Sequence, residues 1–392
     1  MKILSVNAGS SSLKFQLIEM PEELQLVEGL IERIGMDKGK IKLKINGEKF
    51  EKELEIKDHK EGVKLLVEAL LENNVVSKVE DIEAVGHRMV HGGEKFNQSV
   101  ILTDEVLSVF ESLIPLAPLH NPANLTGVEA FKEILPNALM VGVFDTAFHQ
   151  TMEKEAYMYA TPYDWYEKYS VRKYGFHGTS HRYVSEKCAE ILENENAKII
   201  VAHLGNGGSL CAVNAGKSID TTMGFTPLAG IPMGTRSGDI DPAIIEFICE
   251  KENKSVKEVT NMLNKESGFK GVSGVSSDSR DIEDAIANGN ERAILAQDIY
   301  TRKIASYIAI YDMLLKGSDA ICFTGGIGEN AADTRKEIIE RLSSLGVKID
   351  LEKNNVRGKE TLISTEDSKI KVFIIPTNEE LMIARDTFGF TK

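Results

Sequence analysis

Two arginines stand where a positive charge could meet a bound anion. Arg88 lies near the end of an apolar stretch that reads as a buried strand, and Arg236 lies in a loop of small residues, Met233–Asp239. A buried guanidinium requires an anionic partner, so an internal salt bridge is the structural alternative for Arg88. A solvated loop is the alternative for Arg236. Together the two arginines suit the charge that spreads over a phosphoryl group during its transfer.

Three glycine-rich turns, each after a predicted strand, could bind phosphate. They are Asn7–Ser12, Leu204–Gly208 and Gly325–Asn330, and Lys14 adds a positive charge just after the first. Small residues let a ligand approach backbone N–H groups closely. Each turn alone could be purely structural, but the three together suit a nucleotide with several phosphates.

Carboxylates occur at two positions that could serve an active site. Asp145 directly follows the short apolar strand Met140–Phe144, where it could contact Mg²⁺ or water, or simply cap a helix. Glu379 and Glu380 lie at the predicted start of the last helix. They could complement the helix dipole there, or Glu379 could share a metal site with Asn7.

Histidines occur among glycines in the segment Tyr174–His181. His177 could donate a hydrogen bond to an oxyanion, whereas His181 is expected on the helix that follows. His120, which precedes an Asn-Pro pair, is a similar candidate. Because the spacing of these histidines does not match a zinc site, we expect hydrogen bonding rather than zinc binding from them.

Two other nucleotide motifs match the sequence poorly. Gly216–Ser218 has the ending of a Walker loop, but the first glycine of that motif falls on Cys211. Gly326–Ala331 fits GxGxxA after a strand, with Asp350 at about the right distance for a dinucleotide-binding carboxylate. No other feature of the sequence suits hydride transfer.

The composition is that of an acidic globular protein. The chain has 392 residues, of which 42% are hydrophobic and 27% charged, and its formal net charge is −14 at pH 7. This length predicts two domains, and the negative charge disfavours nucleic acids and membrane surfaces as partners. Four widely spaced cysteines predict free thiols and a cytoplasmic location. We expect neither a signal peptide nor a transmembrane helix.

The order of predicted elements indicates how these residues are positioned. After the opening hairpin, alternation predicts a strand over Ile41–Phe50, and strands then alternate with helices as in α/β proteins. A second block, Lys198–Thr222, echoes the opening hairpin and suggests a duplicated chain. Apolar periodicity predicts helix over Asp281–Leu315, and Thr377 with Glu380 predicts a capping box for the last helix.

Several of these segments resemble blocks of the acetate kinase family. Asn7–Phe15 resembles its first signature and Met223–Asp239 its second. Further blocks that resemble the family are Gly86–Glu94, His120–Asn124, Phe144–His149, Tyr174–His181, Ser273–Asp281, Gly325–Asn330 and Pro376–Leu381. The resemblance spans essentially the whole chain, and its departures, such as Met89, remove no polar residue that the chemistry needs.

The resemblance implies an α/β fold of the sugar-kinase/actin superfamily. Two similar domains with mixed central sheets flanked by helices (an actin-like, ribonuclease H-like duplicated fold) would hold the active site in the interdomain cleft. The domains would comprise residues 1–150 plus 379–392, and residues 151–378, which would bind the nucleotide. The implied activity is reversible, Mg²⁺-dependent, in-line transfer of the ATP γ-phosphoryl group to acetate, giving acetyl phosphate and ADP. The implied assembly is a homodimer.

Alternatives to this activity remain at this stage. A kinase of propionate or another short-chain carboxylate is the nearest, and an ATP-binding chaperone or cytoskeletal protein of the same superfamily is a more distant one. The metal implied by the family is Mg²⁺, with Mn²⁺ as a substitute.

The resemblance also implies roles for individual residues. The catalytic residues would be Asp145, His177, Arg236 and Arg88. The substrate-binding residues would be Arg88, Val90, His120, Phe176 and Pro227. The residues that bind ATP or ADP would be Ser10, Ser12, Lys14, His203, Leu204, Gly205, Asn206, Gly207, Asp278, Ser279, Arg280, Gly326, Ile327, Gly328, Glu329 and Asn330. The metal ligands would be Asn7 and Glu379.

Overall fold

The computed structural model describes residues 1–391. The chain forms two compact units, each with its own central sheet. Unit 1 comprises residues 1–148 together with the chain from residue 378 onward, and unit 2 comprises residues 149–377.

The strands are numbered in chain order. Those of unit 1 are β1 (Lys2–Ala8), β2 (Ser12–Glu19), β3 (Leu24–Glu32), β4 (Gly39–Ile45), β5 (Glu48–Leu54), β6 (Ile82–Met89), β7 (Val100–Ile101) and β8 (Leu139–Phe144). Those of unit 2 are β9 (Lys198–Leu204), β10 (Gly208–Asn214), β11 (Lys217–Thr221), β12 (Ala320–Thr324), β13 (Thr361–Leu362) and β14 (Lys371–Ile374).

The helices are numbered in the same way. They are α1 (His59–Glu72), α2 (Asp104–Glu111), α3 (Asn121–Ile134), α4 (Lys154–Tyr157), α5 (Tyr163–Tyr169), α6 (Gly178–Leu192), α7 (Ala243–Glu252), α8 (Val256–Lys265), α9 (Gly268–Ser273), α10 (Ser279–Ala287), α11 (Glu291–Leu314), α12 (Gly325–Asn330), α13 (Ala332–Arg341), α14 (Leu351–Asn354) and α15 (Glu379–Gly389). Short 3₁₀ turns occupy Val79–Asp81, Ile114–Leu116, Ala147–Thr151 and Ser343–Leu345.

The sheet of unit 1 has the strand order β5-β4-β3-β2-β1-β6-β8-β7. β1 pairs antiparallel with β2 and parallel with β6, and β6 pairs parallel with β8. Successive side chains of β1 point to opposite faces. Leu4 therefore packs into the core that α1 and α3 cover, whereas Ile3 packs against Ala384 of α15.

Close packing of α15 on this sheet explains one glycine. A Cβ at Gly86 in β6 would lie 2.3 Å from Thr387 Oγ1 and 2.5 Å from Ile383 Cγ2. Any larger residue would therefore push the helix away from the strand that carries Arg88.

The sheet of unit 2 repeats this arrangement, with the order β11-β10-β9-β12-β14-β13. β9 pairs antiparallel with β10 and parallel with β12, and β12 pairs parallel with β14. Helix α11 packs on one face and α6 contacts β9 and β12. In each sheet the first strand pairs antiparallel with the second and parallel with a later strand, so the duplicated α/β fold expected from the sequence is confirmed.

Two segments predicted to be continuous are divided by turns. The predicted strand Ile41–Phe50 is the hairpin β4–β5, because Asn46 and Gly47 both adopt positive φ and reverse the chain. The predicted helix Asp281–Leu315 is two helices, α10 and α11, separated at Asn288–Asn290. Both turns have a glycine at a left-handed position that the apolar period does not register.

The predicted capping box of the last helix is also wrong. Asn378, rather than Thr377, is the N-cap of α15, and its side chain accepts a hydrogen bond from Leu381 N at 3.0 Å. An asparagine one residue later can cap a helix as well as a threonine does.

Within residues 1–391, no helix is both long and apolar enough to cross a lipid bilayer. The four cysteines are free thiols, and Cys188, Cys211 and Cys322 are buried.

His87 introduces a sensitivity to acid into unit 1. Its side chain is buried in β6, contacts Met140 Sδ at 3.4 Å and packs edge-on against Phe131. Burial lowers the pKa of His87 from 6.5 to about 3. The unfolded chain therefore binds a proton below pH 6.5 that the folded chain excludes, and stability falls as the pH drops from 6.5 towards 3.

We expect His87→Leu to weaken this acid sensitivity. At pH 5.5 the excluded proton costs the folded state about 1.4 kcal/mol relative to pH 7.5, and the leucine variant does not bear that cost. Calorimetric unfolding of both proteins at the two pH values measures the difference. An equal loss of stability in the two proteins would contradict the expectation.

Candidate active site

The opening hairpin forms a tight, polar tip in unit 1. Asn7 pairs with Lys14 across β1 and β2, and Gly9 N donates to Ser12 O at 2.9 Å. A Cβ at Gly9 would lie 2.9 Å from Ser12 Oγ, so the turn requires a residue without one. Lys14 forms an ion pair with Glu380 at the start of α15.

Arg88 and Asp145 form a pair held by two hydrogen bonds. Arg88 Nε donates to Asp145 Oδ1 at 3.0 Å and Arg88 Nη2 donates to Asp145 Oδ2 at 2.6 Å. β6 and β8 are adjacent and parallel, so their carboxyl ends bring the two residues together. The salt bridge considered as an alternative for Arg88 exists, and it orients the planar guanidinium.

The charges around Arg88 hold it in the cationic form. Burial opposes the charge, but Asp145, Glu379 and Glu380 outweigh this effect and raise the pKa of Arg88 above its ordinary value. The Arg88 side chain is 23% exposed to solvent.

A cavity of about 480 Å³ in unit 1 collects the predicted residues of this half of the site. Its lining includes the predicted residues Asn7, Ser10, Ser12, Lys14, Arg88, Val90 and His120. It also includes Leu30, Leu119 and Ala123, which the sequence analysis did not single out. A guanidinium beside an apolar wall suits a small acid with an alkyl group.

Glu379 has the chemistry of a ligand for a hard cation. Burial first, and then the charges of Asp145 and Glu380, raise its pKa to about 7, against the opposing effect of Arg88 and Lys14. Carboxylate and amide oxygens are donors that Mg²⁺ accepts, and Mg²⁺ commonly takes only one or two such groups besides water and phosphate. Asn7 and Glu379 therefore fit the metal that the family implies.

The described residues contain no group of three or more His, Cys, Asp or Glu side chains suited to a metal ion.

In unit 2, His177 is held from several sides. It precedes α6 with φ of 56°, a left-handed conformation that is costly for a residue with a Cβ. Its Nδ1 lies 2.9 Å from Ser209 Oγ, and its ring stacks on His203 with centroids 4.3 Å apart. The strained backbone and the fixed ring are typical of a functional residue.

Arg236 lies next to His177. A Cβ built on Gly207 would lie 2.8 Å from Arg236 Nη2 and 3.7 Å from His177 Cε1, so both side chains flank this glycine. Arg236 Nη1 donates to Pro227 O at 2.7 Å, and within the described chain no carboxylate pairs with it. Burial lowers the pKa of Arg236. Binding of an anion would offset the cost of burying this charge.

A second cavity, of about 540 Å³, lies in unit 2. The predicted nucleotide-binding residues in its lining are Gly205, Asn206, Asp278, Ser279, Arg280, Gly326, Ile327 and Asn330. Asp278 caps α10, and hydrogen bonds from Arg280 hold its pKa at about 2. Backbone turns and small residues make up much of the lining, as a nucleotide site requires.

Other predicted nucleotide residues of unit 2 are not part of this lining. They are His203, Leu204, Gly207, Gly328 and Glu329. The Glu329 carboxylate is turned to the protein, where it accepts hydrogen bonds from Gly325 N at 2.9 Å and Thr377 N at 3.3 Å. Phe176 and Pro227 contribute backbone carbonyls, which accept from His149 and Arg236.

The dinucleotide alternative finds no support in the geometry. The turn Gly325–Asn330 is itself helix α12, and Asp350 caps α14 by accepting from Glu352 N and Lys353 N. Asp350 is therefore engaged elsewhere and does not serve as a ribose-binding carboxylate.

Comparison with known proteins decides the family. The model of the acetokinase family matches residues 2–385. The chain belongs to the acetokinase family. A curated relative from Shouchella clausii (strain KSM-K16), named acetate kinase, is 56% identical over the full length of both chains.

Solved structures of the acetokinase family agree with this assignment. The crystal structure of Porphyromonas gingivalis acetate kinase has a TM-score of 0.96 and 48% sequence identity, and all of both chains is covered. A propionate kinase from Francisella tularensis has a TM-score of 0.94 and 47% identity, with 99% of each chain covered. The family is thus established, and the fold is that of its solved members.

Several residues of the two cavities were missed by the sequence analysis. In unit 2 they are Ser277, Glu283, Ala331 and Arg357. Ser277 lies within the recognised block Ser273–Asp281, and Ala331 ends the recognised segment Gly326–Ala331, so both could have been included on that ground. Arg357 follows an irregular segment without a motif, and only folding places it by α12.

Proposed function

We propose that this protein is an acetate kinase that transfers the ATP γ-phosphoryl group reversibly to acetate. The observation that carries the proposal is the Arg88–Asp145 pair beside an apolar wall, in a chain of the acetokinase family. Unit 1 would bind the acid, and unit 2 would bind the nucleotide in its cavity.

The acceptor needs no general base. Acetate is a carboxylate with a pKa near ~4–5 and is ionised at neutral pH. Its attack on a phosphoryl group is opposed mainly by repulsion between two anions, which Arg88 reduces. Asp145 acts through Arg88, since both of its oxygens are engaged with the guanidinium. It is therefore a positioning residue rather than a base.

The donor side is served by Arg236 and His177. We place both at the equatorial oxygens of the migrating phosphoryl group in a direct in-line transfer. Mg²⁺, held by Asn7 and Glu379 together with the nucleotide, would neutralise phosphate charge. Mn²⁺ would substitute because it accepts the same oxygen ligands.

Trapping of the product tests this function. The full-length protein is incubated with ATP, Mg²⁺, hydroxylamine and either acetate, propionate or butyrate. We expect acetyl hydroxamate to form only when ATP is present. Absence of hydroxamate with all three acids would overturn the proposal.

Propionate is the second candidate acceptor, since a structural neighbour carries the name propionate kinase. Val90 lines the cavity of unit 1 near Arg88 and is mostly buried. Val90→Ala would make room for one more methylene, and we expect the propionate-to-acetate ratio of kcat/KM to rise about tenfold. Val106→Ala, in the same unit but outside the cavity lining, is the matched control. An unchanged ratio in Val90→Ala would contradict this assignment.

We infer that the protein is a cytoplasmic homodimer. Leu295, Ile299, Ile310 and Met313 are exposed on one face of α11, at helical spacing. Apart from Arg302 and Ser306, which are exposed on the same face, these side chains form an apolar surface that suits a two-fold contact with a second copy. Sedimentation should give twice the chain mass of 43.3 kDa. A monomer at micromolar concentration would refute the dimer.

A further inference from the structure

The side chains of His177, His181 and Ser209 form a hydrogen-bonded group in unit 2. His177 directly precedes α6, and His181 lies in the first turn of that helix. Ser209 on β10 lies between them. Its hydroxyl oxygen is 2.9 Å from His177 Nδ1 and 2.7 Å from His181 Nε2.

Because Ser209 and His181 are fully buried, any of their hydrogens that lacks an acceptor would destabilise the fold. Within the described chain, His181 Nδ1 has no hydrogen-bond partner, and the Ser209 hydroxyl contacts only the two imidazoles. The Ser209 hydroxyl has one hydrogen and can therefore donate it to only one of the two imidazole nitrogens. The favoured arrangement is the one in which no buried N–H or O–H group lacks an acceptor.

One arrangement leaves neither Ser209 nor His181 with a hydrogen that lacks an acceptor. His181 Nε2–H donates to Ser209 Oγ, and the Ser209 hydroxyl donates to His177 Nδ1. Only an unused lone pair then remains, on His181 Nδ1. Under this arrangement the hydrogen of neutral His177 sits on its Nε2.

The two other arrangements each orphan a hydrogen. If Ser209 donates to His181 instead, His181 carries its hydrogen on Nδ1, where no acceptor is present. If both imidazoles donate to Ser209, the hydroxyl hydrogen has no acceptor. Buried donors without acceptors are rare. Burial, together with the nearby His149 and His203, lowers the pKa of His181 well below its ordinary value and so favours its neutral form.

The backbone before His177 is fixed by a related contact. His149 Nε2 donates to Phe176 O at 3.0 Å, and His149 Nδ1 accepts from Ser218 Oγ at 2.8 Å. The carbonyl beside His177 therefore cannot rotate freely. Ring and backbone are both positioned by buried groups that carry no net charge.

We propose that Ser209, backed by His181, holds His177 as the neutral tautomer with its hydrogen on Nε2. His177 then donates a hydrogen bond to the phosphoryl group beside Arg236 and does not exchange protons with it. Ser209 and His181 are positioning residues. This inference rests on the proposed function of His177.

Kinetics of Ser209→Ala give the first test. We expect kcat to fall about tenfold, while KM for ATP stays unchanged because the nucleotide cavity is untouched. In a His177→Ala background, the same substitution should have no further effect. Equal effects in both backgrounds would overturn the proposal, because Ser209 would then act independently of His177.

Nitrogen spectroscopy gives the second test. Long-range ¹H–¹⁵N spectra of the full-length protein, labelled at histidine, distinguish a protonated from an unprotonated ring nitrogen. His177→Gln assigns the His177 signals. We expect a protonated Nε2 in the native protein and a mixture of tautomers in Ser209→Ala. A protonated Nδ1 on native His177 would refute the inference.

The two measurements separate this inference from the function on which it rests. If His177→Ala retains full turnover, the proposed role of His177 fails, while the spectra still report its tautomer. If His177→Ala loses turnover but the native tautomer is Nδ1–H, the role stands and the positioning by Ser209 fails.

Discussion

Arg236→Ala is expected to lower kcat by about 10³-fold or more, because an arginine at a transferring phosphoryl group stabilises charge that develops in the transition state. The native side chain is half-buried, makes one hydrogen bond to Pro227 O and has no carboxylate partner within the described chain. Its removal therefore breaks little of the fold. Steady-state assays of acetyl phosphate formation measure the effect.

Arg341→Ala is the matched control for this substitution. Arg341 lies in the same unit, and its guanidinium pairs with Asp298 at the surface. Exposed pairs contribute little to stability, so we expect native turnover. Near-native kcat in Arg236→Ala, with the control also active, would remove Arg236 from the site.

Asp145→Asn is expected to lower kcat/KM for acetate by about 10²–10³-fold. An amide offers one neutral oxygen in place of two charged ones, and its NH₂ group faces the guanidinium. Arg88 would therefore lose the pair of charge-assisted hydrogen bonds that orients the plane of its guanidinium group. KM for ATP should change little, because the residues of the nucleotide cavity lie in unit 2.

Asp104→Asn tests whether loss of any carboxylate in unit 1 has this effect. Asp104 pairs with Lys132 on the surface and is largely exposed. We expect unaltered kinetics from it. If Asp145→Asn left kcat/KM for acetate intact, Asp145 would be only a structural partner of Arg88.

Asp145 shows how much of a site the local sequence can predict. The position of Asp145 after an apolar strand indicated a site, because strand ends are recognisable from a few neighbouring residues. The same sequence left open whether Asp145 would contact a metal or water or cap a helix, and it did not indicate an arginine partner. The structure answers this through Arg88, which is 57 residues away.

Some turns could be predicted from the local sequence, and one was missed. The hairpin tip at Asn7–Ser12 and its echo after β9 were predicted because small residues between alternating strands have a local cause. The turn at Asn46–Gly47 was missed within a longer alternating segment, although an Asn-Gly pair is a recognised hairpin signal. Glycines at positive φ interrupt an element without interrupting the apolar period on which the prediction relied.

The sequence alone indicated the α/β class, suggested the duplication and carried the resemblance to acetate kinases, since the motifs and strand patterns behind each are local. The roles assigned to individual site residues remain predictions. Tertiary structure decided which side chains meet: Arg88 with Asp145, Lys14 with Glu380, and Ser209 with two histidines. Such contacts depend on the packing of distant elements and on the cost of burying unpaired polar groups, which neither composition nor local periodicity encodes.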